Sequence, residues 1–530
     1  MRRLIIITVI LIAATAVVTV AYFKHLSPPG KRTTQVINTI PDSAALIFEF
    51  NNDSSFYDIY KNSDLFSAIV GAPAIKQFNT LRRVLLNSAE LRSTFADQDI
   101  FVSVHPQQDD SAAYLFTTTE AVRIKPEMFK NTGRLKGITF TPVNFGKSRG
   151  FKIHSDSLIT DFYMAERNGQ VITGSFSKAL LQQSLNYKPS DKTGHFSLLP
   201  DQQTSTSLGA LYVNYRQAGR LLNLFYKKDN GDLWKGLPIL TATTSLSLNY
   251  KSDALMFNGF TTFKNSRPVS YLDLFRKMNP VPMQLKNLFP TTTAYSNSYA
   301  INDVKRFESE LTNWQQIAGL DVEKKRLFKK IKSETGVQFD REFNRLLDNE
   351  FAVLTTRFKE KVAIIKVKNG GALRPYLNNI STMAANDDES GQFNYDQVPI
   401  FILGDALAYF RKPHFMVLDN YLILANTESE LRNYKQNYVN GDFLIKNDEY
   451  VQFNNLLAQR ANVEFFIHFK NAGNVFRRTL KSAYAKAYQQ QQPGFKNYYA
   501  AAYQLSASEN QFYTNLCIKL ISTDSTALNK

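Results

Sequence analysis

The stretch NGQVITGSFSKALLQQSLNY, residues 168–187, decides the fold, because the stretch DNYLILANTESELRNYKQNY repeats its pattern at residues 419–438. Each version opens on a two-residue turn whose residue types tolerate the positive φ of a tight hairpin. A short apolar strand follows, and then a hydroxyl or amide side chain that can cap a helix. The pattern therefore predicts, at both places, a hairpin that leads directly into a helix.

The similarity extends outward from this stretch in the same order. The offset drifts in one direction, from 249 residues between Pro41 and Pro290 to 259 residues between Leu246 and Leu505, as loop insertions would produce. A repeat of this length is a domain-sized unit with its own core, not a solenoid module. The other matched segments are DQDIFVSV (97–104) with DNEFAVLT (348–355), LYVNYRQAG (211–219) with FFIHFKNAG (465–473), and SLSLNY (245–250) with YQLSAS (503–508).

Each copy interleaves short strands with helices and joins its strands mainly by hairpins, which predicts an α+β fold with mainly antiparallel sheets. In the second copy, residues 304–319 and 322–336 have helical periodicity, and Gly336 is placed to end the second helix. The polar stretch MAANDDESGQFN, residues 383–394, predicts a mobile surface loop.

The chain therefore divides into a membrane anchor and two tandem homologous α+β repeats. Composition agrees, because 44% hydrophobic and 13% aromatic residues can form two cores. The expected segments are a cytoplasmic tip, anchor and Pro/Gly stalk (1–30), a first repeat (31–266), a proline-rich connector (267–289), a second repeat (290–522) and a disordered tail (523–530).

Residues 4–23 carry no charge, and twenty residues at about 1.5 Å each span a hydrocarbon core of about 30 Å. A cleaved signal peptide is the alternative, since Thr19, Val20 and Ala21 offer small residues for a cut. The apolar run is longer than the usual ~7–15 residues, which favours an uncleaved signal anchor. We expect a single-pass protein of the bacterial inner membrane with its ectodomain in the periplasm.

The net charge of +17 is densest in EKKRLFKKIK, residues 323–332. Val322, Leu327, Phe328 and Ile331 are expected on one helical face and the cations on the other. The basic face is either an ordinary solvated surface or a contact for anionic lipid headgroups or acidic envelope polymers. Nucleic acid is not expected, because no binding motif accompanies the charge. The candidate anionic-surface residues are Lys324, Lys325, Arg326, Lys329, Lys330 and Lys332.

The search for catalytic chemistry yields no candidate. Ser175 and Lys178 fit a serine-x-x-lysine pattern, but the matching position in the second copy reads Asn426 to Ser429, which predicts helix capping and not a nucleophile. The carboxylates Asp348 and Glu350 are interpreted as turn and edge chemistry at the mouth of a strand.

Cofactor and metal sites are not expected either. The six histidines show no zinc-ligand spacing, and neither a glycine-rich phosphate loop nor a G-x-S-x-G elbow is present. The single cysteine, Cys517, lies in an apolar stretch and is predicted to be a buried free thiol. The sequence therefore predicts no catalytic, cofactor-binding or metal-binding residue.

The passage SETGVQFDREFNRLLDNEFAVL, residues 333–354, resembles the helix-to-strand signature of uncharacterised membrane-anchored bacterial envelope proteins that carry a domain of unknown function. The first copy departs from this signature, since its matching segment has no glycine. The resemblance implies an envelope location and an anchored α+β architecture, and it implies no substrate. The residues that match are Gly336, Phe339, Leu346, Leu347, Glu350 and Ala352.

Together these features predict a non-catalytic, membrane-anchored envelope protein that acts as a binding or scaffolding module in envelope assembly or maintenance. Its expected partners are the membrane, through the single-pass anchor, and anionic lipid or envelope proteins. The alternative is a carrier that binds a lipid or another hydrophobic ligand in a groove between the repeats. A hydrolase is the third possibility, and it would be supported if carboxylates from both copies converged in one cleft with strongly perturbed acidities.

Overall fold

The fold is α+β with a mostly antiparallel sheet, as the sequence predicts. It is known from a computed structural model, which describes residues 36–53, 56–58, 72–86, 91–108, 111–121, 138–156, 158, 160–167, 169–189, 196, 208–227, 236–251, 253–263, 270–384, 387–490 and 497–521. The expected anchor and stalk at 1–30 and the expected tail at 523–530 lie outside these residues. Within them, no helix is long and apolar enough to cross a membrane.

The described part of the chain forms twenty-two strands. They are β1 (Leu46–Asn51), β2 (Asp99–Pro106), β3 (Ala112–Thr119), β4 (Ile138–Phe145), β5 (Ser148–Ser155), β6 (Phe162–Arg167), β7 (Val171–Ser175), β8 (Ala210–Asn214), β9 (Ala242–Tyr250), β10 (Ala254–Phe263), β11 (Val281–Pro282), β12 (Thr293–Ala300), β13 (Leu347–Thr356), β14 (Lys361–Val367), β15 (Ser381–Ala384), β16 (Asp387–Phe393), β17 (His414–Leu418), β18 (Tyr421–Ala425), β19 (Arg460–Ala461), β20 (Val463–His468), β21 (Tyr498–Ser508) and β22 (Gln511–Leu520).

Twenty of these strands form one continuous sheet in which every pairing is antiparallel. From one edge to the middle the order is β4, β5, β6, β7, β3, β2, β1, β8, β9, β10, and from the other edge it is β15, β16, β17, β18, β14, β13, β12, β20, β21, β22. The two halves meet where β10 pairs with β22. If the ten strands that each half contributes to this sheet are numbered along the chain, both halves have the order 4-5-6-7-3-2-1-8-9-10. The short strands β11 and β19 pair separately.

Thirteen α-helices belong to the described residues, together with a π-helical turn at Arg82–Leu86. They are α1 (Ala72–Leu81), α2 (Arg92–Phe95), α3 (Lys178–Asn186), α4 (Tyr215–Phe225), α5 (Val304–Ile317), α6 (Asp321–Thr335), α7 (Phe339–Leu346), α8 (Gly370–Asn379), α9 (Val398–Leu403), α10 (Glu428–Asn440), α11 (Asp448–Asn454), α12 (Phe469–Thr479) and α13 (Ser482–Gln489). Short 3-10 helices span Leu237–Ile239, Tyr271–Lys277, Leu285–Leu288, Asp405–Leu407 and Leu444–Lys446.

The predicted hairpin-to-helix units are confirmed in both halves. In the second half the turn residue Asp419 has a φ of 48°, and Thr427 and Glu430 form a reciprocal capping box at the start of α10. In the first half Gly169 has a φ of 73°, and the Ser177 hydroxyl accepts from the Leu180 N–H at the start of α3. Gly336, with a φ of 74°, ends α6 as expected.

The second half of the sheet is covered on both faces. Along β18, Leu422 and Leu424 pack into one core, and Ile423 and Ala425 pack into a second core on the opposite side. The alternation follows from the two-residue period of a strand. The first core also contains apolar residues of α5, α6 and α7, and the second contains those of α10 and α11. The helices are therefore held against the sheet by residues such as Phe328 and Leu431.

The prediction of a mobile surface loop at residues 383–394 is wrong. Most of this stretch forms β16, which pairs with β15 on one side and with β17 on the other. Phe393, at the end of β16, is buried against Phe415 with ring centroids 5.4 Å apart. Polar composition suggested a loop, but backbone pairing with two neighbours holds the segment in the sheet.

The connector between the halves is part of the core. The 3-10 helix at Tyr271–Lys277 starts with a capping box of Ser270 and Asp273. Tyr271 and Phe275 are fully buried, and the Tyr271 hydroxyl donates to the Leu403 carbonyl at 2.5 Å. The 3-10 helix of the connector is therefore packed into the core.

A buried hydroxyl cluster marks the join of the halves. The Thr261 hydroxyl of β10 lies 2.7 Å from the Thr514 hydroxyl of β22 and 2.5 Å from that of Thr244. Tyr215 and Tyr503 meet through their hydroxyl groups beside it. These buried hydroxyl groups form hydrogen bonds with one another, so the two halves pack together directly at this join.

Candidate functional site

The strongest candidate site is the basic surface of α6. The helix starts with Asp321 and Glu323 in its first turn and has Lys332 in its last, which suits the helix dipole. Phe328 and Ile331 fix the helix against the core, with Ile331 fully buried. The opposite side of α6 is thereby turned to solvent.

Five of the six candidate cations lie on this exposed side. Lys325 pairs with Asp321 at 3.5 Å and Lys330 pairs with Glu334 at 3.9 Å, both within one turn of the helix. Arg326, Lys329 and Lys332 have no ion pair within the part of the chain that the structure describes. The helix has six cations and three acids, a net charge of +3, so it keeps a positive field. The exposed candidates are Lys325, Arg326, Lys329, Lys330 and Lys332.

Lys324 differs from the other five. Its ammonium group donates to the Gln315 side-chain carbonyl of α5 at 2.9 Å. Burial lowers the pKa of Lys324, and the carboxylates of Asp340 and Glu308 partly offset this effect. Lys324 therefore joins α6 to α5 and is not available to a partner.

The placement of Val322 on the buried face of α6 is wrong, because 70% of Val322 is exposed. Nine residues separate it from Ile331, which is about 2.5 helical turns, so the two side chains point in opposite directions. Ile317, at the end of α5, is also 52% exposed. We call Ile317, Val322, Lys325, Arg326 and Lys329 together the α6 basic face.

This arrangement suits electrostatic contact with an anionic surface. The apolar stripe of α6 is already used by the protein core, so the helix cannot lie in a bilayer as an interfacial amphipathic helix does. Each cation near an anionic membrane is worth ~1 kcal/mol, and the Debye length of about 8 Å at physiological salt confines the effect to close approach. Binding through this face should therefore depend on salt.

A buried carboxylate pair is the strongest feature in favour of catalysis. Glu350 is 1% exposed and accepts the N–H groups of Gln284 at 2.8 Å and Leu285 at 2.9 Å. Burial raises the pKa of Glu350 to about 7; the two N–H bonds and Lys366 oppose the rise, and Glu464 adds to it. Glu464 in turn accepts from the Gln504 amide at 2.7 Å.

The contacts of this pair are structural. Glu350 holds the start of the 3-10 helix at Leu285–Leu288, which belongs to the connector, and Glu464 holds a side chain of the adjacent strand β21. The sequence interpretation of Asp348 and Glu350 as strand-mouth carboxylates fits only Asp348, which is half-buried and pairs with Lys366 at 3.3 Å. Glu350 is different because the connector covers it.

A serine–histidine contact in the first half is also unsuited to nucleophilic catalysis. The Ser43 hydroxyl lies 2.9 Å from Nδ1 of His105, and the Ser103 hydroxyl lies 2.9 Å from Nε2. Ser103 also donates to the Leu115 carbonyl at 3.3 Å, which assigns the proton to Nε2. Burial lowers the pKa of His105 to about 3. A base this weak cannot activate Ser43 near neutral pH.

Two further sequence predictions are confirmed. The Ser175 hydroxyl donates to the Tyr114 carbonyl at 2.7 Å and accepts from the Ser177 N–H at 3.0 Å, so the serine-x-x-lysine match is turn and capping chemistry. Cys517 is a buried free thiol, and burial raises its pKa to about 12. Among the described residues, no group of three or more His, Cys, Asp or Glu side chains could hold a metal ion.

A cavity of about 60 Å³ lies inside the first half, between α1 with its π-helical turn and the sheet. Its walls are almost entirely apolar. An apolar cavity that binds benzene measures roughly 150 Å³, so this cavity is too small for a lipid chain. The wall residues include Phe78, Leu81, Arg82, Phe116, Phe162 and Ile172.

Comparison with protein-family models, with curated proteins and with solved structures finds no match for this chain. The resemblance to membrane-anchored envelope proteins therefore stays a prediction.

Sequence reasoning missed Glu464 and the exposure of Val322. The position of Val322 could have been found, since its spacing from Ile331 is readable in the sequence. Glu464 gave no signal, because its partner Gln504 is 40 residues away and belongs to another strand.

Proposed function

We propose that this chain is a non-catalytic, membrane-anchored envelope protein of the bacterial inner membrane, with its ectodomain in the periplasm. It acts as a binding or scaffolding module, and the α6 basic face holds it against an anionic surface. The observation that carries the proposal is that Ile317 and Val322 are exposed on the same face as Arg326 and Lys329, which lack ion pairs among the described residues.

We also propose that the body consists of two tandem homologous repeats. The common strand order of the two halves supports this. So does the register: Leu46 lies opposite Val213, and Tyr295 lies opposite Ile467. The sequence offsets of 249 and 254 residues carry the first pair onto the second.

At the end of each repeat the sequence match needs a shift of two residues. Leu246 pairs with Leu211, and Tyr503 pairs with Phe465, so the register favours an offset of 257 and not 259. A strand keeps its buried face when shifted by two residues, which is why the sequence comparison tolerated the slip.

The test is a polarity-sensitive fluorophore on Val322→Cys in the full-length chain, reconstituted into vesicles of phosphatidylcholine with or without phosphatidylglycerol. The native Cys517 is buried and should not react with the label. We expect a blue shift only with phosphatidylglycerol, and its loss at high salt, because the contact is electrostatic.

The charge variant Lys325→Gln/Arg326→Gln/Lys329→Gln should lose the shift. Its control is Lys305→Gln/Arg306→Gln, which removes exposed cations from the neighbouring helix α5. A label that stays in water under every lipid composition would refute the proposal, and an equal response of both variants would refute the assignment to α6.

The carrier and the hydrolase remain the alternatives, and neither gains support from the described residues. The cavity is small and lies within one half. The buried carboxylates and His105 are engaged in structural hydrogen bonds.

A further inference from the structure

The turn between β13 and β14 presents an aromatic side chain to solvent. Phe358 is 60% exposed, although it lies between two buried strands. Its backbone N–H donates to the Thr356 hydroxyl at 3.2 Å, and the Lys359 N–H donates to the Thr356 carbonyl at 2.8 Å. Lys359 has a φ of 73°, a conformation that costs a lysine energy. The turn therefore holds Phe358 in a defined, outward position.

One cation lies beside this ring, and others lie near the turn. The Arg357 guanidinium lies 4.8 Å from the centre of the Phe358 ring. Burial lowers the pKa of Lys359, and the nearby positive charges of Arg478 and Arg477 lower it further. Those two arginines form the last turn of α12 and are exposed. We call these five residues the hairpin patch.

The cations of the hairpin patch are not neutralised by the described part of the chain, where none of them has an ion pair within 4.0 Å. Glu360 is the nearest acid in sequence, and its carboxylate is already engaged. One oxygen accepts from the Thr356 hydroxyl at 3.1 Å and the other accepts from the Asn433 amide at 2.5 Å. Like charges gathered without counterions indicate an anionic partner.

The turn itself does not require this composition. The matching segment between β2 and β3 in the first half reads QQDDS, residues 107–111, which has no aromatic residue and two acids. The hairpin between β2 and β3, which has the same position in the strand order, thus has neither an aromatic residue nor a cation in its turn. At this turn, the aromatic residue and its cations occur in the second half and are not repeated in residues 107–111.

We propose that the hairpin patch inserts Phe358 into the interface of an anionic lipid bilayer while its cations contact the headgroups. A lone aromatic ring flanked by long basic side chains suits the headgroup level of a membrane. A stable protein partner would instead need ~800 Å² of complementary surface on each side, far more than one ring supplies. The inference rests on the proposed membrane-surface function and names a second contact for it.

The test is a polarity-sensitive fluorophore on Phe358→Cys, in the full-length chain reconstituted as above. Val439→Cys is the matched control, since Val439 is also apolar, is 72% exposed and lies at the end of α10, outside the patch. We expect a blue shift at 358 in phosphatidylglycerol vesicles and none at 439. Arg477→Gln/Arg478→Gln should lower the equilibrium constant for insertion about fivefold per removed cation.

The outcomes separate this inference from the proposed function. A response at 322 with none at 358 overturns the hairpin inference alone, and silence at both positions overturns both. Equal shifts at 358 and 439 overturn it as well, because they show non-specific adsorption. A shift at 358 that needs added envelope protein, and not lipid, identifies a protein partner and overturns the lipid assignment.

Discussion

Replacing Glu350 with glutamine should change how the stability of this protein depends on pH. Burial raises the pKa of Glu350 to about 7 in the folded state, against 4.5 for a free side chain. The folded state therefore binds the proton of Glu350 more tightly than the unfolded state does. The stability that the protonated carboxyl group contributes is present at low pH, and it declines as the pH rises from about 4.5 to about 7. From these two pKa values, the free energy of unfolding should fall by about 2–3 kcal/mol between pH 5 and pH 8 on account of Glu350.

The variant Glu350→Gln cannot ionise, so this contribution to the slope should vanish. Its single carbonyl oxygen can accept from only one of the N–H groups of Gln284 and Leu285, which costs about 1–3 kcal/mol at every pH. The free energy of unfolding of Glu350→Gln, relative to that of the wild type, should therefore be higher at pH 8 than at pH 5.

The assay is urea denaturation of the full-length chain followed by circular dichroism at several pH values. Glu428→Gln is the control, since that carboxylate is 57% exposed on α10. An unchanged pH slope in Glu350→Gln would show that the carboxyl group is already ionised in the folded state, and the reasoning from burial would be wrong.

Two further predictions concern buried groups. Cys517, whose thiol pKa burial raises to about 12, should not react with a disulfide reagent in the folded protein and should react fully in urea, which thiol titration measures directly. Thr261→Val should lower the free energy of unfolding by about 1–3 kcal/mol, because it leaves the hydroxyls of Thr244 and Thr514 with fewer partners, whereas Thr312→Val on exposed α5 should change it by less than about 0.5 kcal/mol.

Local signals predicted the local structure of this chain well. The turn at Asp419 and the N-cap of α10 at Thr427 depend on residues within a few positions of one another, and both form as expected. The pairing of β10 with β22 at the join of the halves could not be predicted. Thr261 and Thr514 are 253 residues apart, and no local sequence pattern indicates that they are neighbours. Long-range pairing is fixed by packing, which a single sequence does not display.

The same distinction holds for the candidate surfaces. The cations of α6 were predicted because they are consecutive in the sequence. The hairpin patch was missed because Arg477 and Arg478, whose charges lower the pKa of Lys359, are far from Lys359 in the sequence and belong to a different element, α12. The sequence around Phe358 predicts only an exposed turn of mixed charge. The turn becomes part of a cationic surface because the last turn of α12 adds Arg477 and Arg478.

Each half has a buried carboxylate at a similar place in the sheet. Glu49 of β1 lies opposite Ala210 of β8, and it accepts from the Tyr212 hydroxyl at 2.6 Å. At the corresponding pair of the second half, Ser298 of β12 lies opposite Glu464 of β20. The carboxylate belongs to β1 in the first half and to β20 in the second, and each one accepts a hydrogen bond from a nearby side chain. One buried acid in each half at this place in the sheet supports our proposal that the two halves are homologous repeats.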